Sequence, residues 1–316
     1  MSRLFIKTAP IFLASAALLV TLPAPASARE LLERSEFALT GGYRVDRLDW
    51  NIAGDINGKN PDVLSELTWN DLKSHQLSAR GKMILLNDQM PFGRVLRLGA
   101  SYGEIYAGAN QDSDYDGNGR TQEFSRSNNQ ADSGKVWDGS AGVGLVFFNQ
   151  ARTLALTPLV GYSLHAQNLT MTDGYQTVPG LGPFAGLHST YETKWRSDWL
   201  GLDLDYIPSP YFDLHGGVEV HSGKYRADAD WNLRSDLAHP RSFSHTSDSA
   251  TGLVANIGVR TGGDNVFLTL DYSYQKWQAK DGVDRTYFLD GTVRDTKLNE
   301  VNWQASSINT GVTVRF

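Results

Sequence analysis

The sequence predicts an all-β chain, a ten-stranded antiparallel transmembrane β-barrel with short periplasmic turns and long extracellular loops. Three observations predict it. An export leader opens the chain, ten mostly alternating segments follow, and their connections are short at one end and long at the other. The alternative is a soluble secreted all-β domain, because the alternation in each strand is weak, as it is in barrels of this kind.

The leader comes first. Arg3 and Lys7 form a basic start, an apolar run covers Ile11 to Val20, and Ala26-Ser27-Ala28 is an A-x-A cleavage site. Residues 1–28 therefore read as a signal peptide, and 29–316 as a single barrel domain. The apolar run is too short for a membrane-spanning helix, which needs about 20 residues. Losing Arg3 and Lys7 with the leader moves the formal net charge from −6 to about −8. That balance argues against nucleic acid as a partner. There is no cysteine, so disulfides, thiolate metal sites and cysteine nucleophiles are excluded.

The strands are placed near 36–52, 62–85, 92–108, 133–149, 152–167, 189–206, 210–227, 243–261, 263–279 and 301–316. "WLGLDLDY" sets Leu200, Leu202, Leu204 and Tyr206 opposite Gly201, Asp203 and Asp205. "SINTGVTVRF" alternates likewise and closes on Phe316, which is similar to the C-terminal signature of bacterial outer-membrane barrels. The connections at 86–91, 150–151, 207–209 and 262 are short. Those at 53–61, 109–132, 168–188, 228–242 and 280–300 are longer. In a meander of ten strands, all the short ones fall on one end. Both termini are then periplasmic. Aromatics near strand ends are expected to form the interface girdles: Tyr43, Trp50, Trp69, Tyr102, Tyr106, Trp195, Trp199, Tyr206, Tyr211 and Phe212. A barrel of this size is filled largely by side chains, so a wide general porin is not expected.

The stretch "DSDYDGNGRTQE", Asp112 to Glu123, fits the calcium-loop pattern at each defined position. Asp112, Asp114 and Asp116 would supply carboxylates, Asn118 a carbonyl, and Glu123 two closing oxygens to Ca²⁺. Against this, no helices flank it, and Gly119 stands where such loops carry an apolar residue. A close pair of carboxylates can instead share a proton or activate a water. The two uses compete, because acids tied to Ca²⁺ are poor bases. A third reading is a polar loop that binds a ligand or partner. A second Asp-x-Asp, Asp228 and Asp230, lies in the fourth long loop.

The chain resembles the omptins, ten-stranded outer-membrane endopeptidases, and the omptin-like outer-membrane proteins related to them. The resemblance is carried by "GGYRVDRLDW" (Gly41 to Trp50), "QDSDYD" (Gln111 to Asp116), "PLVGY" (Pro158 to Tyr162), "WLGLDLDY" and "VEVHSGKYRADAD" (Val218 to Asp230). It implies a surface endopeptidase in the bacterial outer membrane that holds a water between an aspartate pair and an aspartate–histidine pair. Asp112 and Asp114 would be the acid couple, and Asp230 the aspartate that orients the histidine. Asp228, with Glu33, would bind a basic side chain of the substrate. The histidine position falls on Asn232, which cannot take a proton near neutral pH. His221, His239 and His245 are the histidines that could substitute.

The expected partners are outer-membrane lipid, lipopolysaccharide, whose phosphates suit Lys and Arg near strand ends, and a peptide or protein substrate. Lipopolysaccharide is also a candidate requirement for activity, and Ca²⁺ the one candidate cofactor. No nucleophile-elbow, P-loop, H-E-x-x-H or dinucleotide motif appears.

Overall fold

A strand facing lipid on one side and a filled lumen on the other must alternate apolar and packed positions. The computed structural model does so along the membrane band. It describes residues 33–86, 90, 92–263 and 265–316, so the leader and its cleavage site lie outside the described residues. Eleven strands follow in chain order: β1 (Glu36–Ile52), β2 (Ser65–Leu85), β3 (Phe92–Gly117), β4 (Thr121–Gln130), β5 (Gly134–Phe148), β6 (Leu154–Val178), β7 (Gly182–Ser209), β8 (Phe212–Asp230), β9 (Phe243–Gly263), β10 (Val266–Tyr287) and β11 (Val293–Arg315). Each pairs antiparallel with its neighbours, and β1 pairs with both β2 and β11, which closes the ring.

The expected count of ten is corrected to eleven segments in ten places around the ring. β4 and β5 share one place, both lying between β3 and β6. The expected loop at 109–132 is mostly strand. β3 runs on to Gly117, turns, and comes back as β4. The ladder breaks at 131–133 and resumes as β5. The expected loops at 168–188 and 280–300 are likewise strand extensions of β6–β7 and β10–β11, joined by short turns. Above the hydrocarbon these outward faces are polar, so the hydropathy alternation fades while backbone pairing persists. Of the longer expected loops, 231–242 keeps an irregular course.

The outward faces form an apolar belt that includes Leu77, Leu98, Val160, Leu200, Leu202, Val220, Ile257, Leu268 and Ile308, all exposed. Tyr43, Tyr102, Tyr106, Tyr206, Tyr211 and Phe212 are exposed at its edges, as expected of girdles. Trp50, Trp69, Trp195 and Trp199 are not. They are buried in the lumen. Nearness to a strand end does not tell which face a residue takes. Trp199 belongs to the same alternate as Gly201 and Asp203, so it points inward.

Two layers fill the lumen. Towards the periplasmic end, buried ion pairs tie distant strands together. Arg44 meets Asp46 at 2.8 Å and Asp138 at 2.5 Å. Lys82 meets Asp205 at 2.6 Å, Arg97 meets Asp203 at 2.7 Å and also Glu219, and Arg315 meets Asp213 at 2.9 Å. Such charges are tolerable in a dry interior because each has a close partner. Above them stands an aromatic column. Trp277 stacks on Trp303 with ring centres 5.8 Å apart, Trp195 lies 5.9 Å from Trp303, and Trp69 stacks on Tyr191 at 5.2 Å. Gly252 lets Trp277 lie flat on the wall, since a Cβ there would stand 2.5 Å from the ring. A cavity of about 190 Å³ lies among Arg44, Asp138 and His165, and an open cup lies above the column.

Candidate active site

The cup is a cavity of about 570 Å³. Whether Asp112 and Asp114 face it is decided below them. On β2, Trp69 and Leu72 both point inward, and between them Asp71 has φ of 52°. The pairing with β3 shifts there, between Asn70 and Lys73 and again between Lys73 and Ser74. Such bulges exchange the inward and outward alternates. Below this point odd-numbered residues of β3, such as Ile105, face the lumen. Above it Asn110, Asp112 and Asp114 do.

Asp112 and Asp114 line the cup side by side, opposite Leu67 and Ser65 of β2 and Ser127 and Ser125 of β4. Asp112 Oδ1 is buried without a hydrogen-bond partner. Burial, with the neighbouring Asp114 carboxylate next in weight, pushes the Asp112 carboxyl well above the usual range. Burial also raises Asp114, while the hydroxyls of Ser65 and Ser125 favour its ionised form. The Arg234 guanidinium pulls both down less strongly. Two carboxyls so placed hold one proton between them more readily than two charges.

Across the cup stand His245 of β9 and Asp284 of β10, which are register partners. His245 Nδ1 is 2.8 Å from the Tyr191 hydroxyl, which is 2.6 Å from the Tyr225 hydroxyl. His245 Nε2 lies 3.2 Å from Asp284 Oδ1 but is not aligned for a hydrogen bond. Thr296 donates to Asp284 Oδ2 at 2.9 Å. Around the ring, β9 is five places from β3 in either direction, so the two pairs oppose each other.

The other expected site residues lie elsewhere. Asp228 and Asp230 occupy the outward alternate of β8, whose inward residues are Tyr225, Ala227 and Ala229. Asp230 does have a histidine: His239 Nδ1 is 2.5 Å from Asp230 Oδ1, and this contact raises the imidazole pKa. Neither residue lines the cup. Asp228 is 3.4 Å from Arg241. Glu33 pairs with Arg152 at 2.9 Å at the periplasmic end, far from Asp228. Asn232 is a clamp between strands, not a site residue. It accepts from the His188 N–H at 2.9 Å and the Ser189 hydroxyl at 3.1 Å, and donates to the Gly186 carbonyl at 2.7 Å. His221 is in the lumen, bonded to Ser163, Ser197 and Glu219.

The calcium-loop set is drawn out along a hairpin and does not converge. Asp116 is exposed and points away from the cup. Asn118 Oδ1 accepts from the Asp62 N–H at 3.0 Å, and its carbonyl accepts from Thr121. Glu123 is held by Arg126 at 2.7 and 2.5 Å. Among the described residues, no group of three or more His, Cys, Asp or Glu is placed to hold a metal ion.

Sequence reasoning included His245 among the substitutes but missed Asp284. Its one signal was the pair "FSHT" and "VDRT", which a hairpin register centred beyond 263 sets side by side.

A closed barrel with an apolar belt, aromatic edges and a filled lumen defines an outer-membrane β-barrel protein. The chain belongs to the family described as Protochlamydia outer membrane protein, Pom, whose model matches residues 38–316. The protein is accordingly one of the bacterial outer membrane. Among solved structures it is similar to the outer-membrane protease OmpT from Escherichia coli, with a TM-score of 0.72 and 13% identity over 90% of this chain and 97% of that one. This likeness gives an omptin-like fold. A major outer membrane protein from Thermus thermophilus matches with a TM-score of 0.30 and 12% identity, over 87% of this chain and 99% of that one. The Pseudomonas putida toluene transporter TodX matches with a TM-score of 0.29 and 10% identity, over 92% and 93%. Neither of these two carries an argument about this chain. Comparison with curated protein sequences finds no match.

Proposed function

We propose that this barrel is a surface endopeptidase whose reaction centre is the cup. The observation that carries the proposal is the opposition of two pairs across one cavity, Asp112–Asp114 on β3 and His245–Asp284 on β9 and β10. The cup's size suits a short peptide segment. In this reading a water attacks the scissile carbonyl and gives its proton to His245 Nε2, the ring nitrogen without a hydrogen bond. Asp284 stabilises the imidazolium, and Tyr191 fixes the ring. The proton shared by Asp112 and Asp114 passes to the leaving amine as the C–N bond breaks. In this reading His245 and Asp284 take the part that the resemblance gave to Asp230 and a histidine, whose expected position holds Asn232; neither Asp230 nor Asn232 lines the cup.

One observation favours a second reading, a cup that binds without cleaving. His245 Nδ1 is engaged by Tyr191, and its Nε2 is buried beside Asp284. Cleavage of a peptide library by the barrel refolded in lipopolysaccharide separates the two. The first reading expects cleavage, lost in Asp112→Asn/Asp114→Asn. Cleavage that survives this double substitution, or no cleavage by the wild type, rejects it. The same assay without lipopolysaccharide tests whether that lipid is required.

A further inference from the structure

The resemblance assigned two acids to a basic substrate side chain, and the structure puts both outside the cup. What lines the cup is different. Its walls carry Phe124 of β4, Phe184 of β7, Trp231 and Leu233 of the segment after β8, Phe243 of β9 and Phe288 after β10. Phe124 and Leu233 are 46% and 47% exposed, large apolar groups left uncovered at the mouth. The cations of the wall are Arg234 and Arg294. Arg234 donates to Asp236 through Nε and Nη2, at 2.9 and 2.8 Å. Arg294 donates to the Gly54 carbonyl at 2.8 Å and has no carboxylate partner among the described residues.

A lysine or arginine side chain entering here would lose water, face two cations, and find no carboxylate outside the two opposed pairs. A bulky apolar side chain would cover the exposed wall, and a carboxylate beside it would complete Arg294. We infer that the cup selects an extended peptide with a bulky apolar side chain next to an acidic one, and rejects basic pairs. The inference rests on the peptide-binding cup described above and adds its specificity.

The test uses the full barrel in lipopolysaccharide micelles and peptides that differ at two adjacent central positions: Phe-Glu, Leu-Glu, Phe-Lys and Arg-Arg. Cleavage of Phe-Glu and Leu-Glu is expected to exceed that of Arg-Arg by about tenfold or more in kcat/KM, the scale set by one apolar pocket. The advantage of Glu over Lys is expected to vanish in Arg294→Ala. Faster cleavage of Arg-Arg overturns the specificity and leaves the peptidase reading standing. If no peptide is cleaved, the peptidase reading fails, and binding decides the specificity. Wild-type barrel, in which Trp50 and Trp231 line the cup, is then titrated with each peptide by isothermal calorimetry. Tighter binding of Phe-Glu than Arg-Arg upholds the inference. Equal binding, no binding, or a response to benzyl alcohol alone overturns it.

Discussion

Two histidine–aspartate pairs lie near the mouth of this barrel, and replacing each histidine in turn decides between them. His245 with Asp284 faces the cup, whereas His239 with Asp230 sits on the outer side of β8. His245→Gln keeps a side chain of similar reach that can still donate to the Tyr191 oxygen as Nδ1–H does in the proposed state, and Asp284 keeps its bond from Thr296. It removes the group that takes the proton. Loss of a general base is worth about 10²–10⁴ in rate, which is about 2.7–5.5 kcal/mol at 1.36 kcal/mol per tenfold. His239→Gln breaks an exposed pair and is expected to change kcat by less than about twofold. The assay is steady-state hydrolysis of the best library peptide, with thermal melts and heat-dependent gel migration to show that both variants fold. Loss of activity in His239→Gln with His245→Gln unimpaired would refute the assignment of the base and return the site to Asp230.

Other outcomes are expected. Asn232→His should add no activity to that of the wild type, because that side chain is aimed at Gly186, His188 and Ser189; a gain in hydrolysis would show that it reaches the cup. Burial raises the Asp112 carboxyl, so the stability tied to its protonated form is present below the unfolded value of 3.8 and is lost as pH rises through the folded one. Asp112→Asn should therefore melt higher than wild type near neutral pH, with the difference shrinking towards about pH 4; a constant difference across that range would contradict the shift. Gly252→Ala should lower stability by about 1–3 kcal/mol, since the added Cβ would stand 2.5 Å from the Trp277 ring, which stacks on Trp303; urea unfolding from lipopolysaccharide micelles measures it. Asp213→Asn should cost about 3–5 kcal/mol by leaving Arg315 without its buried partner, read by the same unfolding, and an unchanged midpoint would mean that Glu36, 3.2 Å from Arg315, suffices.

Much of the fold was legible because a membrane imposes period two. Leu200, Leu202 and Leu204 had to face one way and Asp203 and Asp205 the other, and they do. The leader, the closing strand and the uneven connections pointed to the same barrel. The extensions above the membrane were not legible, since no lipid enforces an alternation there. Residues 109–132 read as a polar loop, and they are a hairpin. The site was half legible. Asp112 and Asp114 stood out as a pair, and the cup holds them. Asp228 and Asp230 looked equivalent, but the extra residue of the nearby register shift lies on β9, so β8 keeps its alternation and they fall on the outward side.

By itself, the sequence determined the class of the protein, the membrane band and the side-by-side placing of Asp112 and Asp114, because each rests on local spacing along one strand. Only the tertiary structure decided which histidine lines the same cup as those acids. His245 and Asp284 become neighbours through the register of β9 and β10, and they oppose β3 because the ring closes between β1 and β11. Register and closure are long-range quantities, summed over every ladder and bulge in the barrel, and no single stretch of chain encodes them.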